Sequence, residues 1–532
     1  MAGPIEFVLN GSPTVVAADL DRGESLLNVL RERLGVVSAK DGCAPQGQCG
    51  CCTVLVDGEP RVACVTPAAR IAGRKVTTIE GLDEEARAVE SAAFVATGGS
   101  QCGFCTPGII MRFAGGRPRE VDRALAAHLC RCTGWLTVRD ALARAASFPA
   151  RDLDAAARRA ELESGGRQRV GTAVPLGRAP FADDTAPRDA LVAVPLPPGS
   201  AAEPVAAAGL QWVVADSLLE ARTRAAKIQG RRTTIEARPP LLDQMPECPP
   251  GGVRLATQWV EPAYLEPDAS WCEPGGEPVS PLANGGAFGG KLHSAAPGAA
   301  RELADRFGRV VRVVYAREDV VRLGPKRPPI AAVAVAREEV VHIDGVIAAG
   351  SGPARVWPAP PGVEVRARWR EVELNGPPVS ADLRGVGLAE QAVLVAGALG
   401  RECEVITPSG ARASATVAVG AGRITSVNVS LAAGDPLDEV VLRSYAIGAA
   451  HMALGWVTSE GIAVDPGSGE IGDLTIRSFG VIRPADTPPI EVTVVDDPAP
   501  PRSRSTDAVF AAVAAATWNA LGRPGTFPAR RR

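Results

Sequence analysis

The chain lacks the features that mark several large classes of protein. Its 532 residues carry a formal net charge of −3, so there is no excess of basic side chains to bind nucleic acid or an anionic membrane. No apolar run approaches the roughly 18 residues that a membrane-spanning helix needs, and the N-terminus has no basic and apolar leader. We therefore expect a cytoplasmic protein whose partners include neither nucleic acid nor membrane.

Histidine is also scarce. The four histidines, at positions 128, 293, 342 and 451, form no H-x3-H pair or similar metal-ligand spacing. No Gly-x-Ser-x-Gly segment is present to position a nucleophilic serine. We expect each histidine to be a core or surface residue.

Cysteine is concentrated at one end of the chain. Nine of the twelve cysteines precede Gly134, and thiols in the cytosol stay reduced and do not form lasting disulfides. Thiolates in such numbers are the ligands of zinc and of iron–sulfur clusters. A metal site built from cysteine ligands is therefore expected in the first quarter of the sequence.

The first cysteine set, Cys43, Cys49, Cys52 and Cys64, follows the spacing C-x5-C-x2-C-x11-C. The plant-type [2Fe–2S] pattern is one residue shorter in its first gap. The flanking sequence favours a cluster, because it predicts strands around Asn-Gly, a helix in "GESLLNVLRERLG" and a hairpin around Asp-Gly. Structural zinc and idle thiols remain the alternatives, and Cys51 is predicted to be a small buried filler.

The second set joins a C-x2-C pair, Cys102 and Cys105, to a C-x-C pair, Cys130 and Cys132. Pro107 marks the start of a helix after the first pair, and "REVDRALAAHLC" has the periodicity of an amphipathic helix. The positive N-termini of helices would stabilise an anionic cluster. On spacing alone, zinc remains a rival to a cluster.

The motifs "GQCGCCTVLVDG" and "QCGFCTPG…CRCTGW" together resemble the iron–sulfur half of the xanthine dehydrogenase and aldehyde oxidase family. The resemblance implies a ferredoxin-like domain and a four-helix domain, each with one [2Fe–2S] cluster held by one cysteine set. It also implies that Gln101 contacts a molybdopterin cofactor. One departure is that only 24 residues separate Cys105 from Cys130, about two helical turns fewer than is usual in the family.

Later segments resemble landmarks of the family's molybdenum-binding part, in the same order. "NGGAFGGK", residues 284–291, is similar to the glycine-rich loop near the metal, which implies contacts from Gly286, Phe288 and Gly289. "ADLRGVGLAEQAV" implies a further contact from Arg384. A P-loop is disfavoured, because no Ser or Thr follows the lysine of "GGK" to bind magnesium. A glycine-rich turn without a ligand remains the alternative.

Asp507 stands where the family has a catalytic glutamate before a helix of small residues, here "AVFAAVAAATWNAL". The resemblance implies that Asp507 is the general base. The residues alone favour another role, since Thr506-Asp507 before an alanine-rich run is typical of a helix N-cap. The two roles are compatible.

Two functions remain open. In the first, the chain hydroxylates an aldehyde or N-heterocycle at molybdenum. Electrons then pass through the Cys102 cluster and the Cys43 cluster to a separate flavin subunit or an electron-carrier protein. In the second, molybdopterin binding is lost, because the family's Gln-Gly-rich loops have no visible counterpart. The chain is then an electron-transfer or scaffolding subunit that docks on a separate molybdenum subunit.

The expected fold class is α+β, with a shortened α/β catalytic region after the iron–sulfur part. The predicted domains are a ferredoxin-like β-grasp [2Fe–2S] domain (1–80), a helical [2Fe–2S] domain (81–148), a linker (149–168), the first part of a hammerhead-like molybdopterin-type region (169–270), a glycine-rich-loop region (271–400) and the C-terminal part of the molybdopterin-type region (401–532).

Overall fold

The structure is a computed structural model of the chain. It describes residues 4–17, 23–116, 118–143, 151–226, 238–282, 287–349, 358–380, 383 and 385–529.

The N-terminal region is a five-stranded sheet that carries the first cysteine loop. Its strands are β1 (Pro4–Leu9), β2 (Ser12–Ala17), β3 (Thr53–Val56), β4 (Glu59–Val62) and β5 (Lys75–Thr77). The strand order is β2-β1-β5-β3-β4, with β1 and β5 parallel. Both predicted hairpins are confirmed, and the residues of the Asn10-Gly11 and Asp57-Gly58 turns have the positive φ angles that two-residue hairpins require.

The predicted helix of this region is present but irregular. It begins as α1 (Leu26–Asn28), where the Ser25 hydroxyl accepts a hydrogen bond from Asn28 N, and it continues as a π-helical turn over Val29–Arg33. Leu26, Val29 and Leu30 are buried against the sheet. The helix thus covers the sheet, as the amphipathic pattern predicts.

The second region consists of four helices, as predicted. They are α2 (Glu84–Ala96), α3 (Thr106–Ala114), α4 (Val121–Leu125) and α5 (Leu136–Ala143). The helix predicted across "REVDRALAAHLC" is only five residues long. The chain leaves it so that Leu129 N donates a hydrogen bond to Cys49 O at 3.0 Å, a tertiary contact that overrides local periodicity.

The segment predicted as a linker is largely helical. Its helix, α6 (Leu153–Ser164), is preceded by Asp152, whose carboxylate caps it, and is followed by Gly165 in the left-handed conformation. Arg159 and Glu163 are buried on the face that packs against the later helices. The composition of the segment predicts a polar linker, because the buried Arg159–Glu163 pair cannot be told from solvent-exposed charges in the sequence.

The described residues after α6 form three further sheets and the helices that cover them. The strands are β6 (Leu191–Pro195), β7 (Val205–Ala207), β8 (Leu210–Ala215), β9 (Val253–Ala256), β10 (Ala269–Cys272), β11 (Val311–Val314), β12 (Ile330–Arg337), β13 (Val340–Ala348), β14 (Glu364–Val372), β15 (Val405–Ile406), β16 (Arg412–Gly420), β17 (Arg423–Ala432) and β18 (Ile490–Val494). The helices are α7 (Ala182–Thr185), α8 (Leu218–Ala225), α9 (Ala296–Phe307), α10 (Arg317–Leu323), α11 (Val386–Leu399), α12 (Glu439–Thr458) and α13 (Thr506–Ala520). The sheet orders are β10-β11-β6-β8-β7, β14-β13-β12-β9 and β15-β16-β17-β18.

Three apolar helices form the centre of the C-terminal part. Helix α13 packs against α11 and α12, and small residues allow close approach: a Cβ at Gly397 would lie 2.2 Å from the Trp518 ring. By length and composition α12 could cross a membrane, but 83% of its most apolar stretch is buried inside the protein, as in a core helix. A Cβ at Gly448 of α12 would lie 1.8 Å from Cys132 O. This helix therefore fixes the position of the second cysteine set against the C-terminal part.

Candidate cluster sites and the adjoining cavity

The first cysteine set converges in a buried loop between α1 and β3–β4. The Cys43 thiol contacts those of Cys49 and Cys64, and Cys64 also contacts Cys52. Backbone N–H groups point at the sulfurs: Gln46 N lies 3.2 Å from Cys43 Sγ, and Cys64 N lies 3.4 Å from Cys52 Sγ. Amide donors of this kind stabilise thiolates and tune the clusters they hold.

Two of the glycines in this loop have conformational reasons to be there. Gly47 and Gly50 both have positive φ, and a Cβ at Gly50 would lie 2.6 Å from Ala127 O. The loop can therefore turn its amides inward while it packs against the helical region. Cys51, the fifth thiol, is fully buried and its sulfur lies 3.7 Å from Cys49 O, which agrees with a filler role.

The second set forms two thiol pairs. Cys132 Sγ lies 3.5 Å from Cys102 Sγ, and Cys130 contacts Cys105. The hydrogen bond with Cys105 lowers the pKa of Cys130 to about 6, against the effect of burial and with help from the Thr133 hydroxyl. Cys105 is the N-cap residue of α3, but its side chain accepts no hydrogen bond from the first turn of the helix. Each set thus brings four cysteine thiols together, which is the ligand set of a [2Fe–2S] cluster with two thiolates on each iron.

The two sets adjoin each other. Besides the bond from Leu129 N to Cys49 O, a Cβ at Gly108 in α3 would lie 2.4 Å from Gly50 O. The backbones that hold the two sets are therefore in direct contact. Electrons could pass from one set to the other without crossing solvent.

Arg131, between the cysteines of the C-x-C pair, ties the second set to the C-terminal part. It is 2% exposed, and its guanidinium forms two 2.6 Å bonds with the carboxylate of Glu460 and one of 3.1 Å with Pro262 O. Sequence reasoning missed this pair. The only signal was an arginine flanked by two cysteines, and its partner is distant in sequence.

A cavity of about 150 Å³ borders the second set. Its walls include Gln101, Cys132, Phe288, Gly289 and Asp507, which the resemblance assigned to cofactor, cluster or catalysis. Residues from three distant segments thus meet at one place. Gly286 and Arg384, the other two predicted contacts, lie outside the described residues.

Gln101 connects the cavity, the second set and α12. Its Nε2 donates hydrogen bonds to Cys132 O at 3.0 Å and to Ser444 Oγ at 2.9 Å. The amide side chain is therefore held in one orientation beside the cluster ligands.

The described part of the glycine-rich loop forms a tight turn, in which Gly290 N donates a hydrogen bond to Ala287 O at 2.9 Å. Phe288 adopts the left-handed conformation (φ 55°), which is uncommon for an aromatic residue, and Gly289 follows with φ 86°. The lysine of the motif is not a phosphate ligand, because Lys291 Nζ is buried 2.6 Å from Glu266 Oε2. This contact agrees with the rejection of a P-loop.

The predicted N-cap at Thr506-Asp507 is wrong. Helix α13 begins at Thr506, and its N-cap is Ser505, whose side chain does not cap it. The cap comes from α6: Glu163 Oε2 accepts hydrogen bonds from Thr506 N at 3.0 Å and Thr506 Oγ1 at 2.9 Å. Asp507 is then left to line the cavity, in an ion pair with Arg504 Nε at 2.9 Å. Glu163 escaped prediction because it lies in the segment interpreted as a linker.

The walls allow a test of whether a molybdopterin-type cofactor fits. The fixed amide of Gln101 and the backbone of the 287–289 turn are polar groups suited to a pterin. The cations at the cavity are engaged by carboxylates, in the pairs Lys291–Glu266, Arg131–Glu460 and Arg504–Asp507. The volume of about 150 Å³ is close to that of cavities that take one aromatic ring. The described walls therefore offer polar groups that suit part of such a cofactor. Residues 283–286, 381–382 and 384 are not among the described residues.

Comparisons with known proteins divide the chain into two parts. A family model described as "[2Fe-2S] binding domain" matches residues 78–143. The chain is 38% identical over 149 residues to isoquinoline 1-oxidoreductase subunit alpha of Brevundimonas diminuta, which covers 27% of this chain and 97% of that one. It is 40% identical over 141 residues to the xanthine dehydrogenase iron-sulfur-binding subunit of Escherichia coli O157:H7, which covers 25% and 86%.

The likeness of the remaining part is one of fold. The aldehyde oxidoreductase structure from Desulfovibrio gigas matches with a TM-score of 0.73 at 15% sequence identity, over 99% of each chain. The predicted α+β architecture is thereby confirmed across the whole chain. Sequence identity to the curated relatives reported above covers about its first quarter.

Proposed function

The chain belongs to the xanthine dehydrogenase and aldehyde oxidase family of oxidoreductases, and from this premise we propose that it hydroxylates an aldehyde or N-heterocycle. Hydroxylation of a carbon by water releases two electrons and two protons. The electrons would leave one at a time through the Cys102 set and then the Cys43 set. The acceptor would be a separate flavin subunit or an electron-carrier protein.

The cavity beside the second cysteine set is the observation that carries this proposal. It joins Asp507, the turn at Phe288 and Gly289, and the ligand Cys132 in one lining. A substrate or cofactor there would touch the cluster ligands on one side and a carboxylate on another. Proton and electron would then leave the site by separate routes, as an oxidative hydroxylation requires.

In the proposed enzyme, a molybdopterin-type cofactor would supply the two-electron oxidation. Gln101, Phe288 and Gly289 would hold it, and the Asp507 carboxylate would accept a proton. The Arg504 side chain would orient this carboxylate, since its Nε lies 2.9 Å from Asp507 Oδ2. Glu163 would position this base by fixing the first turn of α13.

A second function is supported by the size and charge of the same cavity. Its volume is below the roughly 300 Å³ or more of most cofactor pockets, and the three cations named above are already paired. The relatives reported above are named as subunits. An electron-transfer or scaffolding subunit on a separate molybdenum subunit would share these properties.

Metal analysis and anaerobic reduction decide between the two. Two [2Fe–2S] clusters give about four irons per chain in either case. The enzyme proposal expects about one molybdenum per chain and bleaching of the cluster absorbance when an aldehyde or N-heterocycle is added. Full iron without molybdenum, with bleaching only after a separate molybdenum subunit is added, would support the subunit function.

A further inference from the structure

Two arginines of the C-terminal part hold the loop of the first cysteine set. Arg317, the first residue of α10, donates hydrogen bonds to Gly42 O from Nη2 at 2.9 Å and from Nε at 3.3 Å. Arg477 donates a hydrogen bond from Nε to Gln48 O at 3.0 Å. Each of these carbonyls belongs to the residue that immediately precedes a cysteine of the set. The completed fold thus brings two cations to the loop across 275 and 429 positions of sequence.

The backbone that Arg317 holds is adjacent to the sulfur atoms. A Cβ at Gly42 would lie 3.2 Å from Cys49 Sγ and 3.4 Å from Cys51 Sγ. Gly42 therefore lies directly beside a sulfur of the set, and its carbonyl oxygen accepts from the guanidinium. A charge at this position acts on the thiolates over a short distance that contains no solvent.

The positive charge of Arg317 is buried among neutral groups. The side chain is 0% exposed. Its other hydrogen-bond acceptor is Leu265 O, and its Cζ lies 5.9 Å from the centre of the Tyr264 ring. No carboxylate within the described ranges forms an ion pair with it. A buried cation without a counter-charge is costly, and an anionic cluster on the adjacent thiolates would supply that counter-charge.

The second set has a different charge beside it. Arg131 lies between two of its cysteines, but the carboxylate of Glu460 neutralises the guanidinium. One carboxylate also reaches the loop of the first set, where Glu318 Oε1 accepts a hydrogen bond from Gln46 Nε2 at 2.9 Å. Together with Arg317 and Arg477, the three charged side chains bonded to this loop carry a net positive charge.

We propose that Arg317, with a smaller contribution from the half-buried Arg477, raises the reduction potential of the first cluster. Reduction adds one electron, and therefore one negative charge, to the cluster and its thiolates. A nearby cation stabilises the more negative state, most strongly where solvent does not screen it. The inference rests on the proposed function only in taking the first set as an electron carrier. The two arginines are positioning residues of the electron path and take no part in the chemistry at the cavity.

Redox titration of the purified full-length chain, monitored by electron paramagnetic resonance, tests the proposal without any turnover. Arg317→Gln keeps an amide donor and removes the charge. We expect the first cluster, identified as the signal that Cys49→Ser removes, to be reduced at a lower potential. The equilibrium constant for its reduction should fall about tenfold or more, which is about 59 mV for one electron. The potential of the second cluster should not change. An unchanged first potential would overturn the proposal.

The variant Arg317→Lys separates charge from geometry. It keeps the positive charge and has a different shape, so the first potential should stay close to that of the wild type. Equal shifts in the Lys and Gln variants would show that geometry alone sets the potential and would contradict the proposal. If Arg317→Gln does not retain the first cluster, Arg477→Gln decides. The equilibrium constant should then fall by roughly two- to fivefold, because solvent screens this charge, and an unchanged first potential would refute the inference.

Arg327→Gln is the matched control. Arg327 is also a buried arginine of the C-terminal part, but it is paired with Glu390, so its loss should lower stability and leave both potentials unchanged. The outcome is separable from the proposed function. A first potential that depends on Arg317 in a chain without molybdenum would refute the enzyme and keep the inference. Substrate turnover with an unchanged first potential in Arg317→Gln would do the reverse.

Discussion

The iron–sulfur region and the cavity region constrain the amino-acid sequence in different ways. The first is 38% identical to isoquinoline 1-oxidoreductase subunit alpha over 97% of that protein, whereas the whole chain shares a fold with aldehyde oxidoreductase at 15% identity. Cluster ligands must be thiols, and their spacing is set by the loop that wraps the cluster. A cavity needs only suitable surfaces at one place, which many sequences can supply once the fold brings distant segments together.

The two regions nevertheless depend on each other through buried charges. Arg131 reaches from the second cysteine set to Glu460 in the C-terminal part, and both charged side chains are buried. Such pairs are costly to break from one side. The contrast between the regions can therefore be tested by measuring whether a substitution in one region also changes the cluster content or the stability of the other.

Cys49→Ser should have the largest effect. A serine hydroxyl is a poor ligand for iron, so we expect loss of the first cluster and about half of the iron, with the second cluster retained. Electron paramagnetic resonance of the reduced protein should lose one of two signals. Loss of both signals would show that the two sites fold as one unit. Cys272→Ser, at a buried cysteine outside both sets, is the control and should retain both signals.

Asp507→Asn should come next if the chain is an enzyme. Removing a general base lowers turnover by about 10²- to 10⁴-fold, while iron and molybdenum content should stay unchanged. The control is Asp438→Asn, at an aspartate that also starts a helix and pairs with an arginine, Arg151, but lies outside the cavity. Equal turnover in both variants and the wild type would rule out the assignment of Asp507 as the base.

Arg131→Met should destabilise both regions together. It leaves Glu460 buried without its cationic partner, which typically costs about 3–5 kcal/mol, and urea unfolding monitored by cluster absorbance would measure the loss. Arg131→Met/Glu460→Met should recover most of it. Arg301→Met, which breaks an exposed pair with Glu277, should cost less than about 1 kcal/mol. A similarly small cost for Arg131→Met would mean that the regions are not energetically linked.

Sequence alone could predict the parts that depend on local chemistry. The thiol sets and the Asn-Gly and Asp-Gly hairpins follow from spacing and turn geometry, the four-helix region is implied by the family resemblance, and all of them are present. The cap of α13 cannot be predicted from local sequence, because the carboxylate that accepts its hydrogen bonds, Glu163, lies 343 residues away. The helix α4 is shorter than its periodicity predicts, because the residues after it bond to other regions, as Leu129 N does to Cys49 O and Ala126 O to Arg477.

The charged pairs that line the cavity could not be predicted from the sequence for a similar reason. The Glu266–Lys291 pair joins "YLEPD" to "GGK", and neither segment contains a pattern that indicates the other. Long-range pairing of charges depends on the completed fold. It is invisible to periodicity, which reports only on neighbours along one element.

Cys51→Ala should have the smallest effect, and it tests the ligand register of the best-predicted site. Cys51 is adjacent to Cys52 and near Cys49, so a shift of one residue would exchange filler and ligand. Its hydrogen bond with Cys49 lowers the pKa of the Cys51 thiol, but burial and the neighbouring thiolates raise it overall, as suits a neutral filler. Replacing the sulfur by hydrogen removes one buried atom, so we expect a loss of stability of about 1 kcal/mol or less. Iron content and both resonance signals should stay as in the wild type. If the first signal disappears in Cys51→Ala and survives in Cys52→Ala, the ligands are Cys43, Cys49, Cys51 and Cys64. The region in which sequence and structure agree most closely would then be the one in which both misplace a ligand.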